Sequence, residues 1–502
     1  MIMTHPGLPS YWGYIVWAFM LIVSLWVIVA KMPGRLTIRH IQLNDIKLLG
    51  SFSRLFTSST GLLLFIRIIV VALFFLVIYS GLTGTPVPAR NIATVLTWNI
   101  WWAGLIISIF FLGSAWCAIC PWDALANWFV KPRLWLLKMN NSLELKPPRW
   151  MRTVWPALLM LIGLTWLELG YGVTSDPYAT ALLSLLMVVM ATLSLAIFRN
   201  KAFCHYICPV GRTVGFYAQL APIELRPIDP DICAQCTGLE CFNGTDEVDP
   251  CPTQLVMGSL TQNTYCTSCG NCVRSCPDKN ISWRLRPQSQ EAISSARPHW
   301  DEAWFMLILL ALTSFHGITM MEFWETWMQQ FAQIIGDSGQ LLVSFSTGLM
   351  VSIIIPVSIY ALFIVITRWI SGSDVGFKPF FMGLVFVTLP LAFAYHIAHN
   401  LNHMLRETAG AGQLLMETLG MGSGSLVSHG RLPIPEEALF AMQGLLMMFG
   451  FWVAVKVLRY RIKSFVSEAG FRLTPILVFI ISVNGFHLWL LMQPMIMRMG
   501  GV

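Results

Sequence analysis

Eight cysteines lie in one polar stretch of the chain, between Cys233 and Cys276, and their spacing is typical of iron–sulfur ligands. The second half of the stretch reads C-x2-C-x2-C-x3-C-P. In this pattern three closely spaced thiolates bind one [4Fe–4S] cluster, and the fourth cysteine, before proline, binds the neighbouring cluster. The first half is a looser version, C-x2-C-x4-C-x9-C-P. The stretch therefore predicts two clusters that exchange their fourth ligands.

This exchange divides the eight cysteines into two predicted ligand sets. The first ferredoxin group consists of Cys233, Cys236, Cys241 and Cys276. The second ferredoxin group consists of Cys251, Cys266, Cys269 and Cys272. Disulfides and structural zinc are the alternatives, but two four-cysteine runs that each end in Cys-Pro favour clusters. Cys251 departs most from the pattern, because the gap that precedes it is long.

Four more cysteines stand before prolines at the ends of two apolar runs. This membrane-edge group consists of Cys117 and Cys120, before Pro121, and of Cys204 and Cys208, before Pro209. Proline ends a helix there and leaves backbone N–H groups directed at sulfur, an environment that favours thiolate. Three interpretations stay open: a third cluster or another metal, redox-active thiols, and packing or turn elements that contact the ferredoxin stretch.

The composition is that of a membrane protein. Hydrophobic residues make up 56% of the 502-residue chain and charged residues 11%, against about 25% charged residues in globular proteins. The net charge of +7 comes from Lys and Arg in the loops, so it indicates membrane topology rather than nucleic-acid binding. Apolar runs of about twenty residues predict ten spans, near 11–31, 60–82, 93–114, 153–171, 178–198, 302–320, 340–368, 377–401, 436–456 and 472–494.

The basic residues predict the orientation of these spans. Clusters of Lys and Arg follow the first, third and ninth spans, and all three fall on one side, which the positive-inside rule makes the cytoplasm. The ferredoxin stretch falls on the same side. We therefore expect a mainly α, polytopic protein of a bacterial inner membrane, with an inserted double-cluster ferredoxin-like domain. Its predicted parts are an N-terminal five-helix bundle (1–221), the ferredoxin domain (222–290) and a C-terminal five-helix bundle (291–502).

Histidines mark the opposite side of the predicted membrane. His396, His399 and His403 fall within an arc of about 60° on one helix, and His316 and His487 lie at a similar depth on two other helices. Ionisable residues inside membranes are costly and usually functional. Haem b is the leading interpretation, because imidazole is a usual axial ligand of haem iron.

Three other interpretations of these histidines stay open. A copper or other metal site could use the sulfur of nearby methionines as well. A quinone head group could bind between the histidines and Glu322 or Glu325, and single histidines often serve only in packing. We expect some carrier on this side, because clusters at one face of a hydrocarbon core of about 30 Å cannot reach an opposite partner in one tunnelling step.

The two kinds of Cys-Pro motif, in this order, resemble the membrane iron–sulfur family of NapH, NosR and CcoG. Helices that end in Cys-Pro, followed by a double-cluster ferredoxin run, carry the resemblance over roughly residues 60–290. It implies electron transfer between a quinone pool or cytoplasmic donors and an extracytoplasmic acceptor. The pair Cys117 and Cys120 departs from the family pattern, since its spacing is C-x2-C rather than C-x3-C. The last five spans lie outside the resemblance.

We therefore expect a membrane-bound electron-transfer protein of a respiratory chain, of the quinol dehydrogenase or quinone reductase type. Its expected cofactors are two [4Fe–4S] clusters, with a third cluster, haem b or copper, and quinone as further candidates. Its expected partners are membrane lipid, quinone or quinol, an extracytoplasmic redox protein and further complex subunits, but no nucleic acid. The alternatives are a copper-handling assembly factor for a metalloenzyme and a cluster-carrying scaffold subunit of a larger respiratory complex.

Overall fold

The chain forms a bundle of long apolar helices with a polar segment at one end. The computed structural model describes residues 4–34, 39–58, 60–134, 137–338, 341–421, 434–466 and 470–496. Within these ranges nine helices are long and apolar enough to cross a membrane, and a tenth, α4, is shorter. In chain order the ten are α1 (Ser10–Val29), α2 (Thr60–Thr83), α3 (Ile92–Leu112), α4 (Trp155–Gly170), α5 (Pro177–Ile197), α6 (Trp300–Ile318), α7 (Leu342–Ser371), α8 (Phe377–Glu407), α9 (Glu436–Ser464) and α10 (Gly470–Met492).

Nine of the ten predicted spans coincide with one of the long helices, which confirms a mainly α, polytopic membrane protein. The exception is the predicted span near 153–171, which forms α4 with only 16 residues. At 1.5 Å per residue this helix is about 24 Å long, less than a hydrocarbon core of about 30 Å. It ends just before Gly172, whose left-handed φ of 77° turns the chain back into α5.

Short elements connect these helices. The short helices of eight or more residues are Lys47–Ser58, Pro121–Val130, Pro209–Tyr217, Glu322–Ile335 and Ala411–Thr418. The strands are β1 (Thr4–His5), β2 (Ile41–Gln42), β3 (Arg133–Leu134), β4 (Leu137–Lys138), β5 (Ile223–Pro227), β6 (Ile281–Leu285) and β7 (Met495–Ile496). They pair antiparallel as β1 with β7, β3 with β4, and a three-stranded sheet in the order β2, β6, β5. Strands β5 and β6 flank the segment that contains the ferredoxin cysteines.

The cysteines lie at one end of the bundle, and the last turns of α8, with His403 and Glu407, lie at the other, beside the first turns of α3. Helices α3 and α5 both end shortly before a Cys-Pro turn, and the two short helices that follow begin at Pro121 and Pro209. Proline suits a first helical position, because the N–H that it lacks would have no partner there. We call this the cysteine end. The opposite end, where α8 carries its histidines, is the histidine end.

Helix α8 lies at the centre of the bundle. It packs against α3, α6, α9 and α10, and its residues from Gly383 to His403 are buried. Helix α1 packs against α9 and α10 rather than beside α2, and Trp26 stacks on Trp452 of α9 with ring centroids 5.5 Å apart. The histidines of α8 are therefore shielded from lipid. The predicted boundaries at 221 and 290 stay a prediction.

A buried ion network stabilises the base of the polar segment. Glu224 on β5 lies 2.8 Å from Arg284, 2.9 Å from Arg286 and 3.3 Å from Arg226. Arg226 also pairs with Glu291 at 2.8 Å. Burial alone would raise the pKa of Glu224, but Arg226, Arg286 and Arg284 together lower it below its ordinary value of 4.5. The carboxylate therefore stays charged and holds the two main strands together.

Replacing Glu224 by Gln should destabilise the polar segment by about 3 kcal/mol, because the buried arginines would lose a charged partner. Denaturant unfolding of the detergent-solubilised protein measures this cost. Since the folded pKa lies below 4.5, the cost should be constant from about pH 8 to about pH 5.5 and shrink only in more acidic solution. Exposed Glu247 provides the control, E247Q. An E224Q cost no larger than that of E247Q would contradict the role of the network.

Cysteines introduced at the two ends should be accessible from opposite faces of the membrane. Glu247 is exposed in the polar segment, and Gly412 has open space around its Cβ position at the histidine end. An impermeant maleimide should label E247C and G412C in vesicles of opposite orientation, with the native chain as the control for its own cysteines. Labelling of both variants from one face would refute the arrangement of the ends.

Candidate cluster sites and intramembrane cavity

The second ferredoxin group lines one cavity beside β5, which encloses about 300 Å³ including its opening. Cys251 lies in this cavity with the other three cysteines despite the long gap before it. The amide of Leu255 donates to Cys251 Sγ at 3.3 Å, and the amide of Ser268 donates to Cys266 Sγ at 3.4 Å. Burial raises the pKa of the Cys266 thiol to about 12. A thiolate is therefore stable there only beside positive charge, which iron supplies.

In the first ferredoxin group, Asn280 joins two cysteines that are distant in sequence. Its backbone amide donates to Cys276 Sγ at 3.4 Å, and its Nδ2 donates to Cys233 Sγ at 3.5 Å. Burial raises the pKa of Cys233, and the charges of Cys276 and Cys236 raise it further. Burial also raises the pKa of Cys241, and the charges of Cys233 and Cys236 raise it further. Asn280 thus brings together Cys233 and Cys276, which the exchanged-ligand pattern assigns to the same predicted cluster.

The membrane-edge group is also brought together, from two separate Cys-Pro turns. Burial raises the pKa of Cys117 to about 12, and the charge of Cys208 raises it as well. Cys120 and Cys204 show the same two effects, and Cys208 accepts a hydrogen bond from the Gly211 amide at 3.3 Å. Four converging sulfur atoms with an amide donor form a donor set that fits an iron–sulfur cluster.

Charged residues that sequence reasoning missed surround this group. Lys201 Nζ lies 2.5 Å from Asp123 Oδ2, and the other oxygen of Asp123 lies 4.0 Å from Cys204 Sγ. The buried pair thus contacts the sulfur ligands and influences their charge. Asp123 follows Pro121 by two residues, and Lys201 precedes Cys204 by three. A charged residue so close to a Cys-Pro turn at a membrane edge was the signal that could have found them.

Arg212 connects the membrane-edge group to the second ferredoxin group. Its guanidinium is buried and donates to the carbonyl oxygens of Cys204, at 3.1 Å, and of Thr264, at 2.9 Å. Thr264 is two residues from Cys266. The charge of Cys266 also raises the pKa of Cys117. The two groups of cysteines are therefore close neighbours.

A cavity inside the helix bundle begins next to the membrane-edge group. This central cavity encloses about 950 Å³ including its opening, and its walls are mainly apolar. Pro209 and Val210, which directly follow Cys208, line it. Four tryptophans line it as well: Trp98, Trp101, Trp102 and Trp122. Its ionisable lining residues are Glu168, His316 and His396. A large apolar cavity with a few converging polar groups is typical of a binding site for an organic molecule.

Three of the predicted histidines form a column of rings from the cavity toward the histidine end. His316 Nδ1 lies 3.9 Å from Glu168 Oε1. The His316 ring lies edge to face with His399, at 5.3 Å between centroids, and His399 with His403 at 4.9 Å. Helices α4, α6 and α8 supply these residues. The column therefore links the central cavity to the far end of α8.

The other two histidines lie to the sides of this column. His396 Nδ1 is 3.3 Å from the Tyr217 hydroxyl, and its ring is 5.7 Å from Trp102. His487 Nε2 is 2.7 Å from Ser314 Oγ and does not line the central cavity. The five histidines thus occupy one region without converging on a single point.

The acidic residue that lines the central cavity is Glu168, and not Glu322 or Glu325, which the sequence analysis proposed. Glu322 and Glu325 begin the short helix Glu322–Ile335, are exposed and do not line the cavity. Glu168 lines it instead, as the one acidic residue of the apolar helix α4. An acidic residue in such a run is usually functional, and this signal could have identified it.

Comparison with known families assigns the cysteine-containing part of the chain. A family model described as a 4Fe-4S binding domain matches residues 94–140 and 180–221. Both segments contain a Cys-Pro motif of the membrane-edge group, and the match ends before Cys233. No solved structure matches the chain.

Three relatives agree with this assignment. An uncharacterized protein of Methanocaldococcus jannaschii is 25% identical over 224 residues, which are 44% of this chain and 83% of that protein. The putative electron transport protein YccM of Escherichia coli is 27% identical over 25% of this chain and 32% of its own length. The ferredoxin-type protein NapH of Haemophilus influenzae is 26% identical over 17% of this chain and 31% of its own length.

The chain thus spans about a third of the length of YccM and of NapH. The family model covers the Cys-Pro motifs, which are one part of the pattern on which the resemblance in sequence depends. Apolar helices of spanning length, a 4Fe-4S binding domain and relatives named for electron transport agree with one another. This polytopic membrane protein therefore contains a 4Fe-4S binding domain, and its cysteine-containing part is similar to ferredoxin-type proteins of electron transport such as NapH and YccM.

Proposed function

We propose that this protein transfers electrons between two ferredoxin-type clusters and a quinone bound in the central cavity, by way of a third cluster at the membrane edge. The succession of the three cysteine groups, with the cavity beginning directly after Cys208, is the observation that carries this proposal. A [4Fe–4S] cluster supplies one-electron redox chemistry when it is bound. The protein residues hold these groups in sequence within a low-dielectric interior.

The ligands of the three clusters are the three cysteine groups. The amide donors to sulfur and the buried, mutually coupled thiols support the two ferredoxin groups. The family match covers both halves of the membrane-edge group, which favours a third cluster over redox-active thiols or turn elements. The relatives named for electron transport and as ferredoxin-type favour electron transfer over copper handling.

The lining of the central cavity favours a quinone. Tryptophan and leucine walls suit an apolar ring with an isoprenoid tail, and ring oxygens need polar partners at one end. Glu168 and His316, 3.9 Å apart, provide such partners. A quinol that gives up two electrons also releases two protons, and a carboxylate and an imidazole are groups that accept protons.

The orientation follows from charge. The Lys and Arg residues of the loops concentrate at the cysteine end, so the positive-inside rule favours the cytoplasm for this end. The proposed location is a bacterial inner membrane with both ferredoxin-type clusters on the cytoplasmic side. An extracytoplasmic redox partner would then meet the histidine end, which the column of His316, His399 and His403 approaches from the cavity.

Purified protein should contain about twelve irons and about twelve acid-labile sulfides per chain, since each cluster holds four of each. C204S should lower both numbers by about four through loss of the membrane-edge cluster, and C269S by about four through loss of a ferredoxin cluster. The exposed Ser259 provides the control, S259A. About eight irons in the native protein would remove the third cluster, and four or fewer would refute the ferredoxin pair.

Filling the central cavity should slow the reaction with quinone at least about tenfold, because the ring would no longer fit beside the cluster. Leu164 and Leu159 lie on the same helix, but Leu164 lines the cavity whereas Leu159 is 68% exposed on the outside of the bundle. Reoxidation of dithionite-reduced protein by a short-chain quinone, followed by cluster absorbance, compares L164W with L159W. Equal rates for the two variants would place quinone elsewhere.

A further inference from the structure

A second buried polar cluster lies at the histidine end, apart from the central cavity. His5, His403 and Glu407 each direct one ligand atom to a common point, and these atoms lie within 4.8 Å of one another. His5 Nε2 is 2.7 Å and His403 Nδ1 is 2.6 Å from the same oxygen, Glu407 Oε1. Both histidines are fully buried, and Glu407 is 8% exposed. The three residues come from the first strand and the end of α8.

A fourth polar residue completes this cluster. Asn99 is fully buried and its Nδ2 lies 3.3 Å from Glu407 Oε2. Among the contacts of the described residues, Asn99 Oδ1 has no hydrogen-bond partner. The two ends of an amide are distinguished only by their partners, so a flipped side chain would direct this oxygen at the site. Asn99 lies in the π-helical turn Val95–Trp101 of α3, and such turns are frequent at functional sites.

The charge of Glu407 requires compensation at this depth. A buried carboxylate is costly unless it is paired with positive charge. Arg406, its neighbour in sequence, pairs with Glu436 at 2.5 Å instead. Within the described part of the chain, no Lys or Arg forms an ion pair with Glu407, and its ion-pair partners are the two imidazoles. A cation bound by the two imidazole nitrogens and the carboxylate would compensate this charge while both histidines stay neutral.

We propose that His5, His403 and Glu407 bind one divalent transition-metal ion, with Asn99 as an oxygen ligand. Two imidazole nitrogens and one carboxylate oxygen form a donor set that Zn²⁺ binds with tetrahedral geometry. The site shares His403 with the intramembrane histidines singled out in the sequence, but its other two ligands, His5 and Glu407, lie outside that set. It does not depend on the proposed electron transfer.

This ion would join three parts of the chain that are distant in sequence. Strand β1, which carries His5, is held at the histidine end by its pairing with β7, where His5 lies opposite Met495. Helix α8 supplies His403 and Glu407, and the π-helical turn of α3 supplies Asn99. The ion would therefore attach strand β1, and β7 through its pairing with β1, to the central helix at one point.

Metal analysis of the tag-free, full-length protein after incubation with Zn²⁺ and desalting tests the proposal. Each cluster holds as much iron as acid-labile sulfide, so the sulfide content reports the cluster iron, and zinc is measured as a separate element. We expect about one zinc per chain, and a decrease of at least about tenfold in H5Q and in E407Q at unchanged iron and sulfide. The matched control is H299Q, since His299 is exposed at the cysteine end, and it should retain its zinc.

Two outcomes would overturn the site. One is native protein that retains no zinc after incubation; the other is an H5Q/E407Q double variant that retains as much as H299Q. If the variants do not accumulate, the melting temperature of the native protein tests whether an ion is bound. It should fall when a chelator is added and recover with Zn²⁺, and a melting temperature that responds to neither reagent refutes a bound ion.

Discussion

The cost of burying charge in a low-dielectric bundle is the constraint on which the rest of this structure depends. Every buried charged group described above has a partner of opposite charge or a hydrogen-bond partner in the backbone. Glu224 lies among three arginines, Lys201 lies against Asp123, and Arg212 donates to two backbone carbonyls. Clustered thiolates present the same problem, and iron resolves it. The positions of the sulfur atoms and of the fixed charges around them therefore depend on each other.

The ferredoxin groups, the membrane-edge group and the central cavity follow one another from the cysteine end of the bundle inward. The ferredoxin groups stand on a small sheet whose base Glu224 and its arginines stabilise. Arg212 joins them to the membrane-edge group, and Pro209 leads directly from Cys208 into the central cavity. Arg461 of α9 donates to the carbonyl of Ala296 at 3.1 Å, so the polar segment is also attached to the C-terminal helices. A rigid support of this kind keeps redox groups at constant separation.

The second half of the chain contributes what the shared family part lacks. Helix α8 passes through the centre of the bundle and contacts helices from both halves. It supplies one wall of the cavity through His396, the ring column through His399 and His403, and the cluster around Glu407. The match to the 4Fe-4S binding domain ends at residue 221, so helix α8 lies outside it. The histidine end is therefore described by the structure and not by that family match.

Local patterns alone predicted the membrane class, ten spans of which nine form long helices, and a division of the cysteines into three groups, because apolar length and ligand spacing are properties of contiguous residues. The shortness of α4 was not predicted, since a proline and a glycine limit it within an apolar run. Only the tertiary structure decided which side chains from distant segments meet. It brought Asn280 to two cysteines, Glu168 rather than Glu322 to the cavity, and His5 to Glu407. Helix packing creates these contacts, and no spacing within a single segment encodes them.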